Sequence, residues 1–444
     1  MDNELLPSSA GATVADAAYH ILSGSFRSLS LALLAFSPAN KSIEHVKTIP
    51  AFGPHQYLAL NAAKDVVYTT SWATPPILSS WALQRNHGSG VGDVKHMNTV
   101  QITATSSYID IPPPYNFVYS AGGPTGEVHA LASDGSFGEK VQQFLFVPED
   151  ELEKADKSRV ALRYGSHGVE FSSTGYGFIP VLGSSTIEMY RRDPITGRLE
   201  HIFSSPSPRG PSSHDGPRHV KIHPNGKILY CVTEHTNYLD TYEIKEGTLH
   251  HISSHSLLPT SLTNSPSPSD SSDDPHLVSD FRGGTLMLTP SSPAFPAPIA
   301  LFTTTRGATP AQKGWTSVFR LDRDGHVIPT SPPPVAQDQT PLQDVAEDLV
   351  AVRFETPTSS GKANALNIRS KTSGDDGSSG FWILLTDDDR LADKSGAVRV
   401  LEWNGWGPDQ NLRIVAEWPS GSEVGGSEEG DVEFTGSSHA IWLD

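Results

Sequence analysis

One histidine, two arginines and one glutamate in the middle of the chain form the set of residues best suited to chemistry on an anion. They are His167, Arg218, Glu234 and Arg306. Arginine offers a planar, permanently charged group to a carboxylate or phosphate, whereas histidine and glutamate can transfer protons near neutral pH. If the fold brings them together, these residues predict a pocket that binds a small anion and moves a proton.

The elements that would position these residues are repeated pairs of short strands. The clearest pair is PRHVKIHPNGKILYCVTE (217–234), in which two apolar strands flank a His-Pro-Asn-Gly turn. Similar pairs begin at Pro54 and Ser166, and the second strands of all pairs are centred on Tyr68, Tyr119, Phe178, Tyr230, Phe302 and Leu384. Spacings of roughly 50 to 80 residues leave room for four short strands in each repeat, the content of one propeller blade.

The two ends of the chain supply a seventh repeat. HAIWLD (439–444) is typical of a first strand with nothing after it, and AYHILSGSF (18–26) of a second strand with nothing before it. Pairing them would close a ring and remove exposed sheet edges. The sequence therefore predicts an all-β fold: a seven-bladed β-propeller of four-stranded antiparallel blades, closed by pairing of the N- and C-terminal strands.

The predicted propeller is a single domain that spans residues 18–444. Residues 1–17 are expected to be an N-terminal tail. The segment 253–275, SSHSLLPTSLTNSPSPSDSSDDP, is rich in Ser, Pro and Asp, and is expected to be a disordered loop insertion.

Equivalent positions of the repeats should lie at similar distances from the propeller axis. The starts of the first strands carry His55, His167, Arg218, Asn364 and His439, and the ends of the second strands carry Trp72, Gly123, Leu182, Glu234, Arg306 and Asp388. Any one of these polar residues could simply hydrogen-bond a loop backbone. Together they predict a site at the mouth of the central channel, where His55, His439 and Asp388 would add substrate contacts.

The composition excludes several classes of protein. The chain has 444 residues with 38 glycines and 35 prolines, which favours short strands and turns over long helices. It carries 32 basic and 50 acidic residues, and the net charge of −18 disfavours nucleic acid and anionic membranes as partners. The single cysteine, Cys231, excludes an internal disulfide.

Targeting and cofactor signals are also missing from the sequence. The longest apolar run, LSLALLAF (29–36), is far shorter than the ~20 residues that span a bilayer, and the start of the chain does not resemble a signal peptide. No metal-ligand motif, P-loop or dinucleotide fingerprint is present. We therefore expect a cytoplasmic protein with no metal, no cofactor and no membrane partner; the sequence leaves open whether it forms a homo-oligomer.

The blade HDGPRHVKIHPNGKILYCVTEHTNYLDTYEI (214–244) resembles the signature blade of the lactonase-type seven-bladed propellers. That superfamily includes bacterial 6-phosphogluconolactonases and fungal carboxy-cis,cis-muconate cyclases (3-carboxymuconate lactonizing enzymes). The segments 166–193, PPPYNFVYS (112–120), LTDDD (385–389) and the terminal HAIWLD resemble the fungal branch. Gly216 and His219 depart from that branch toward the lactonase pattern.

The resemblance implies an active site of one histidine, two arginines and one glutamate, at the same His167, Arg218, Arg306 and Glu234. It implies a cofactor-independent intramolecular lyase that interconverts 3-carboxy-cis,cis-muconate and its carboxymuconolactone in the protocatechuate (β-ketoadipate) route of aromatic catabolism. Arg218 and Arg306 would bind the tricarboxylate substrate. His167 would deliver a proton to carbon, with Glu234 as the second choice.

Two alternatives remain open at this point. A lactone hydrolase of the 6-phosphogluconolactonase type would use the same arginines to bind an anion, and Glu234 or His167 to activate water. A non-catalytic propeller that binds partner proteins would have no need of this set at one channel mouth, and the Trp-Asp dipeptide of the WD-repeat propellers is absent.

Overall fold

The structure, a computed structural model, describes residues 18–86, 90–263, 279–330, 350–372, 374–375, 379–389, 396–407, 411–419 and 434–444. The described strands form seven separate antiparallel sheets, which are the blades of a propeller. The predicted fold is therefore confirmed. The predicted tail, residues 1–17, lies outside the described residues.

Blades 1 to 3 are formed by the first eleven strands of the chain, and blade 1 also contains the last strand. Blade 1 contains β1 (Tyr19–Ser25), β2 (Ser30–Ser37), β3 (Ser42–Pro50) and β29 (Ser437–Trp442); blade 2 contains β4 (Leu58–Leu60), β5 (Val66–Ser71), β6 (Ile77–Asn86) and β7 (Gly90–Gln101); and blade 3 contains β8 (Tyr108–Asp110), β9 (Phe117–Gly122), β10 (Thr125–Leu131) and β11 (Phe137–Leu145).

The other four blades follow in chain order. Blade 4 contains β12 (Glu170–Phe171), β13 (Tyr176–Val181), β14 (Thr186–Arg192) and β15 (Leu199–Pro206); blade 5 contains β16 (Pro217–Ile222), β17 (Ile228–Thr233), β18 (Tyr238–Lys245) and β19 (Thr248–Ser256); blade 6 contains β20 (Phe281–Leu288), β21 (Ala300–Gly307), β22 (Trp315–Leu321), β23 (Val327–Ile328) and β24 (Ala351–Glu355); and blade 7 contains β25 (Leu366–Ser370), β26 (Phe381–Asp387), β27 (Ala397–Trp403) and β28 (Arg413–Trp418).

Helical structure is sparse in the described part of the chain. There are three 3₁₀ turns and one α-helical turn, at Glu149–Glu151, Arg159–Arg163, Pro211–Ser213 and Thr260–Thr263. No helix in this part has the length and apolar character that crossing a membrane requires.

Two details of the strands refine the predicted architecture. In blade 6 the outer edge is divided, because β23 and β24 both pair with β22. The insertion expected at 253–275 begins too early, because residues 253–256 pair with β18 as the end of β19. A helical turn follows at Thr260–Thr263, and residues 264–275 lie outside the described part.

The ring closes through the two ends of the chain. β29 pairs antiparallel with β1, with Leu22 opposite Ile441. The first strands of neighbouring blades also contact one another: β29 touches β4 and β25, and β16 touches β12 and β20. First strands therefore lie nearest the axis, where residues from several blades can converge.

The core consists of seven clusters, each shared by two adjacent blades. Successive strand residues point to opposite faces, so Ile21 packs toward blade 7 and Leu22 toward blade 2. In β2, Leu33 and Leu34 divide in the same way. This explains the apolar residues of β2 in the run 29–36: the strand packs against blade 7 on one face and blade 2 on the other, so both faces are apolar. Leu29 precedes β2 and is 60% exposed.

Candidate active site

A cavity of about 510 Å³ opens at the axis, at the end where the first strands begin. Six of the seven blades contribute described residues to its wall, from Phe26 after β1 and Trp72 after β5 to Lys362 before β25. The 3₁₀ turn Arg159–Arg163, between blades 3 and 4, adds a further part of the wall. His167, Arg218, Glu234 and Arg306 all line this cavity, so the structure brings the four predicted residues together.

The centre of the site is a glutamate held by arginines. Arg218 donates from Nε to Oε2 of Glu234 at 2.8 Å, and Arg306 donates from Nη2 to Oε1 at 2.9 Å. Arg282 Nη1 lies 3.8 Å from the same Oε1. We call Glu234 and these three arginines the clamp.

The strands fix the clamp through their register. Arg218 lies near the start of β16 and Glu234 directly follows β17, where its N–H donates to the carbonyl of Gly216 at 2.7 Å. Arg282 and Arg306 are direct partners in the β20–β21 ladder. Two neighbouring blades therefore present the clamp at one height on the channel wall.

Opposing effects set the protonation of the clamp. Burial alone would raise the pKa of Glu234, but the positive charges of Arg306 and Arg218 outweigh it and hold the pKa well below its usual range. Burial lowers the pKa of Arg218 to about 10, so it stays charged at neutral pH. Glu234 is thus a fixed carboxylate that holds the arginines and has no proton to give up at neutral pH.

His167 faces the clamp from blade 4. It precedes β12, and the neighbouring Ser166 forms a bridge with Val181 that fixes the backbone. The side chain is 7% exposed, and Nδ1 has no hydrogen-bond partner among the described residues. Burial, followed by the positive charge of Arg218, lowers the pKa of His167 to about 3. The imidazole is therefore neutral at physiological pH and free to bond a ligand.

The three other predicted contact residues do not line this cavity. His55 is fully buried three residues before β4, where Nδ1 donates to the carbonyl of Thr70 at 3.3 Å and the ring packs on Trp81. His439, the third residue of β29, lines a small neighbouring cavity of about 40 Å³ and accepts at Nδ1 from the N–H of Leu58 at 3.1 Å. His55 precedes β4 whereas His439 lies inside β29, so the two histidines do not share the position that the repeat register predicts.

Asp388 has a supporting position. It lies 3.4 Å from Nη2 of Arg27 and accepts a hydrogen bond from the backbone N–H of Lys362. Gly361 precedes that lysine with φ of 58°, and a Cβ there would collide with the Asp388 carboxylate. Asp388 therefore fixes the loop that carries Lys362, and the expectation that it lines the pocket is corrected.

Sequence reasoning missed four cations of the cavity wall. Arg282 lies in the first strand of blade 6, for which the repeat register gives no first-strand residue. Arg159, Arg163 and Lys362 lie between strands, where the repeat register gives no position. Trp72, which was in the aligned set, does line the cavity.

The cavity is strongly cationic although the whole chain is acidic. Among the described residues its wall carries six cationic side chains and one carboxylate: Arg159, Arg163, Arg218, Arg282, Arg306, Lys362 and Glu234. Nε of Arg306 is buried and has no hydrogen-bond partner in the described part of the chain, so it can donate to a ligand oxygen. No group of three His, Cys, Asp or Glu side chains in the described residues could hold a metal ion. The arrangement suits a small, multiply charged anion.

Comparison with known proteins gives one matching family and one curated relative. The sequence profile of a family described as "Lactonase, 7-bladed beta-propeller" matches residues 20–287. The protein named muconate cycloisomerase 1 of Cutaneotrichosporon cutaneum is 26% identical over 361 residues, which cover 80% of this chain and 84% of the relative.

Solved structures share the fold over almost the whole chain. A periplasmic gluconolactonase of Pseudomonas aeruginosa superposes with a TM-score of 0.64 at 16% identity, covering 96% of this chain and 99% of that one. A provisionally assigned 6-phosphogluconolactonase of Bacteroides uniformis gives 0.63 at 15% identity, with 96% and 99% covered. At such identities the similarity concerns the fold alone.

Proposed function

Because this chain belongs to the family of seven-bladed lactonase propellers, we propose that it is a cofactor-independent intramolecular lyase that interconverts 3-carboxy-cis,cis-muconate and its carboxymuconolactone. The observation that carries the proposal is the cavity, whose described wall has six cations facing one carboxylate. A trianion of this size needs such an environment, because a buried charge must be paired. The curated relative named muconate cycloisomerase 1 supports the same reaction class.

Substrate binding begins with the arginines. Arg218 and Arg306 each hold Glu234 through one N–H group, which leaves other guanidinium donors for substrate carboxylates. In Arg306 the unpartnered Nε is one such donor. Because Glu234 already orients both side chains, little side-chain entropy is lost when the anion binds.

Ring closure then makes one C–O bond and one C–H bond. A carboxylate oxygen adds to the nearby end of a conjugated double bond, and the π electrons move toward the carboxylate at the other end. The resulting enolate-like charge is stabilised by the fixed arginines, and a proton reaches the carbon to complete the lactone. The reverse reaction removes that proton and breaks the C–O bond.

His167 is the residue that exchanges this proton. In the free protein burial and Arg218 keep it neutral, with a pKa of about 3. A trianion beside the ring opposes both effects and raises the pKa, so His167 takes up a proton as substrate binds. It is then the general acid of lactone formation and, in its neutral form, the general base of the reverse reaction. Glu234 is held ionised by the clamp and is the weaker candidate.

A lactone hydrolase is the second candidate, and the neutral state of His167 favours it. A neutral imidazole can accept a proton from a water molecule whose oxygen attacks the lactone carbonyl, while the arginines bind an anionic group of the substrate. The same wall therefore suits both reactions.

Two assays on the purified protein separate the two functions. We expect loss of the ultraviolet absorption of 3-carboxy-cis,cis-muconate, because lactone formation breaks the conjugated diene. We expect no acid release from gluconolactone or 6-phosphogluconolactone. The opposite pair of results would replace the cyclase with the hydrolase, and two negative results would reject both.

A further inference from the structure

Three cations of the described cavity wall lie outside the clamp: Arg159, Arg163 and Lys362. Of these, Arg159 and Lys362 interact electrostatically with each other. Arg159 begins the 3₁₀ turn between blades 3 and 4, and Lys362 lies in the loop between β24 and β25. Both line the same cavity as the clamp, yet both side chains are exposed to solvent. Their positions on opposite sides of the ring let them close on an anion that the arginines of the clamp already hold.

Contacts with neighbouring residues position the Arg159 side chain and the backbone of Lys362. The Arg159 guanidinium carbon lies 5.5 Å from the centre of the Trp72 ring, which itself packs on Phe26 at 4.7 Å. On the other side, Asp388 accepts the backbone N–H of Lys362. The backbone of Lys362 is therefore fixed beside the cavity, and the Arg159 guanidinium lies over the ring of Trp72, which packs on Phe26.

Neither side chain has a carboxylate partner within the described part of the chain. Burial and the positive charge of Arg159 lower the pKa of Lys362, with further contributions from Arg27 and Arg306, while Asp388 acts in the opposite direction. Like charges that line one cavity repel one another, which costs free energy unless an anion binds between them. The arrangement indicates a position that a negative charge occupies.

The net charge of the clamp indicates which substrate carboxylate would lie between Arg159 and Lys362. The clamp contains three arginines and Glu234, so its net charge is sufficient for two carboxylates. A dicarboxylate would leave Arg159 and Lys362 without a role. A tricarboxylate has one carboxylate more than the clamp can pair.

We propose that Arg159 and Lys362 bind the third carboxylate of the substrate and so determine selectivity for a tricarboxylate over a dicarboxylate. This inference rests on the proposed function, since it names residues that recognise one part of that substrate. It assigns the clamp to the two carboxylates common to both substrate types.

The test uses Arg159→Met and Lys362→Met, which keep most of the aliphatic length and remove the charge. For each variant, kcat/KM is measured with 3-carboxy-cis,cis-muconate and with cis,cis-muconate, which lacks the third carboxylate. We expect each substitution to lower the value for the tricarboxylate about five- to tenfold, since a partly solvated charge pair is lost. The value for the dicarboxylate should stay within about twofold.

Matched controls are Arg198→Met and Lys227→Met, whose side chains are exposed on hairpins away from the cavity. They should leave both values unchanged. Equal losses on the two substrates would show a general effect on the site and overturn the proposal, and so would unchanged values in the Arg159 and Lys362 variants.

A binding measurement keeps this test separate from the proposed reaction. Propane-1,2,3-tricarboxylate and glutarate differ only in the middle carboxylate, and their affinities can be compared by calorimetry. We expect the unmodified protein to prefer the tricarboxylate and both variants to lose about five- to tenfold of that preference. If the protein converts neither muconate but shows this pattern, the proposed function fails and the carboxylate subsite stands. Equal affinities in the unmodified protein would overturn the subsite.

Discussion

Two buried glutamates in the described part of this propeller are surrounded by cations, and one of them, Glu234, lines the cavity. Glu234 contacts Arg218, Arg306 and Arg282 at the channel mouth. Glu402, in β27 of blade 7, is bonded by Lys371, Arg413 and Lys41. In both cases burial opposes ionisation and the cations outweigh it, so the pKa of each glutamate lies below its usual value.

The difference lies in what the cations face. Lys371 is covered by Trp382, whose ring centre is 4.3 Å from Nζ, while Arg413 and Lys41 extend from Glu402 toward solvent. Around Glu234 the arginines face the cavity, beside buried nitrogen atoms that lack partners on His167 and Arg306. A charge cluster by itself is therefore structural; a cavity and unsatisfied donors make it a candidate for binding and chemistry.

The largest expected effect is the loss of turnover in a His167 variant, which separates proton transfer from anion binding at the channel mouth. His167→Ala removes the proton donor and should reduce turnover at least about 10³-fold. Its affinity for citrate should stay within about threefold, because the arginines remain. Steady-state kinetics and calorimetry measure the two quantities, and near-normal turnover would remove His167 from the mechanism.

The next effect concerns anion binding. Arg306→Ala removes a guanidinium with a free donor and leaves Glu234 with fewer cations, so citrate affinity should fall about 100-fold. Turnover at saturation should fall much less than affinity. Arg413→Ala is the matched change at Glu402 and should leave citrate binding unaltered; equal losses in the two variants would show that the comparison is mistaken.

Exchanging each glutamate for glutamine tests the comparison directly. Glu402→Gln leaves the Lys371 ammonium buried without its counter-charge, so the free energy of unfolding should fall by about 3 kcal/mol while activity stays within about twofold. Glu234→Gln removes a negative charge from the cavity, so citrate should bind at least as tightly, but turnover should fall about 100-fold as the arginines lose their fixed positions. Denaturant titration and kinetics give these values.

The smallest expected effect is a pH dependence of the free energy of unfolding, which comes from buried histidines around the channel. Burial lowers the pKa of His55 to about 4 and of His167 and His439 to about 3, from about 6.5 in the unfolded chain. The unfolded state therefore binds more protons below pH 6.5, and stability falls as pH decreases from 6.5 toward 4. Each histidine contributes up to about 1.4 kcal/mol per pH unit.

The two glutamates change the stability over a lower pH range than these histidines do. A depressed carboxyl pKa gives stability that is complete above the unfolded pKa and is lost only as pH falls below about 4.5. Burial raises the pKa of Asp110 to about 7, so between pH 7 and 5 this residue opposes the histidines by adding stability as pH falls. In unfolding measured between pH 7 and 5, His55→Asn removes one histidine contribution and should lower the slope of stability against pH. An unchanged slope would mean that His55 is protonated in the folded state.

Much of this molecule can be predicted from local patterns. The six second-strand centres fall inside β5, β9, β13, β17, β21 and β26, and the terminal segments pair as expected. Both results follow from alternation and turn chemistry, which are properties of a few neighbouring residues. The residues of the clamp, apart from Arg282, could be chosen because each repeat places equivalent positions near one axis.

The sequence by itself determined the propeller, its closure and the group of His167, Arg218, Glu234 and Arg306, because strand periodicity repeats along the chain. Only the tertiary structure decided that His55 is buried away from the cavity, that Asp388 fixes the loop of Lys362 rather than lining the cavity, and that Arg159 and Lys362 reach it. These positions depend on where each strand starts relative to the axis and on how the loops between blades fold over the channel. Local patterns carry no information on either, because both are set by contacts between residues far apart in the sequence.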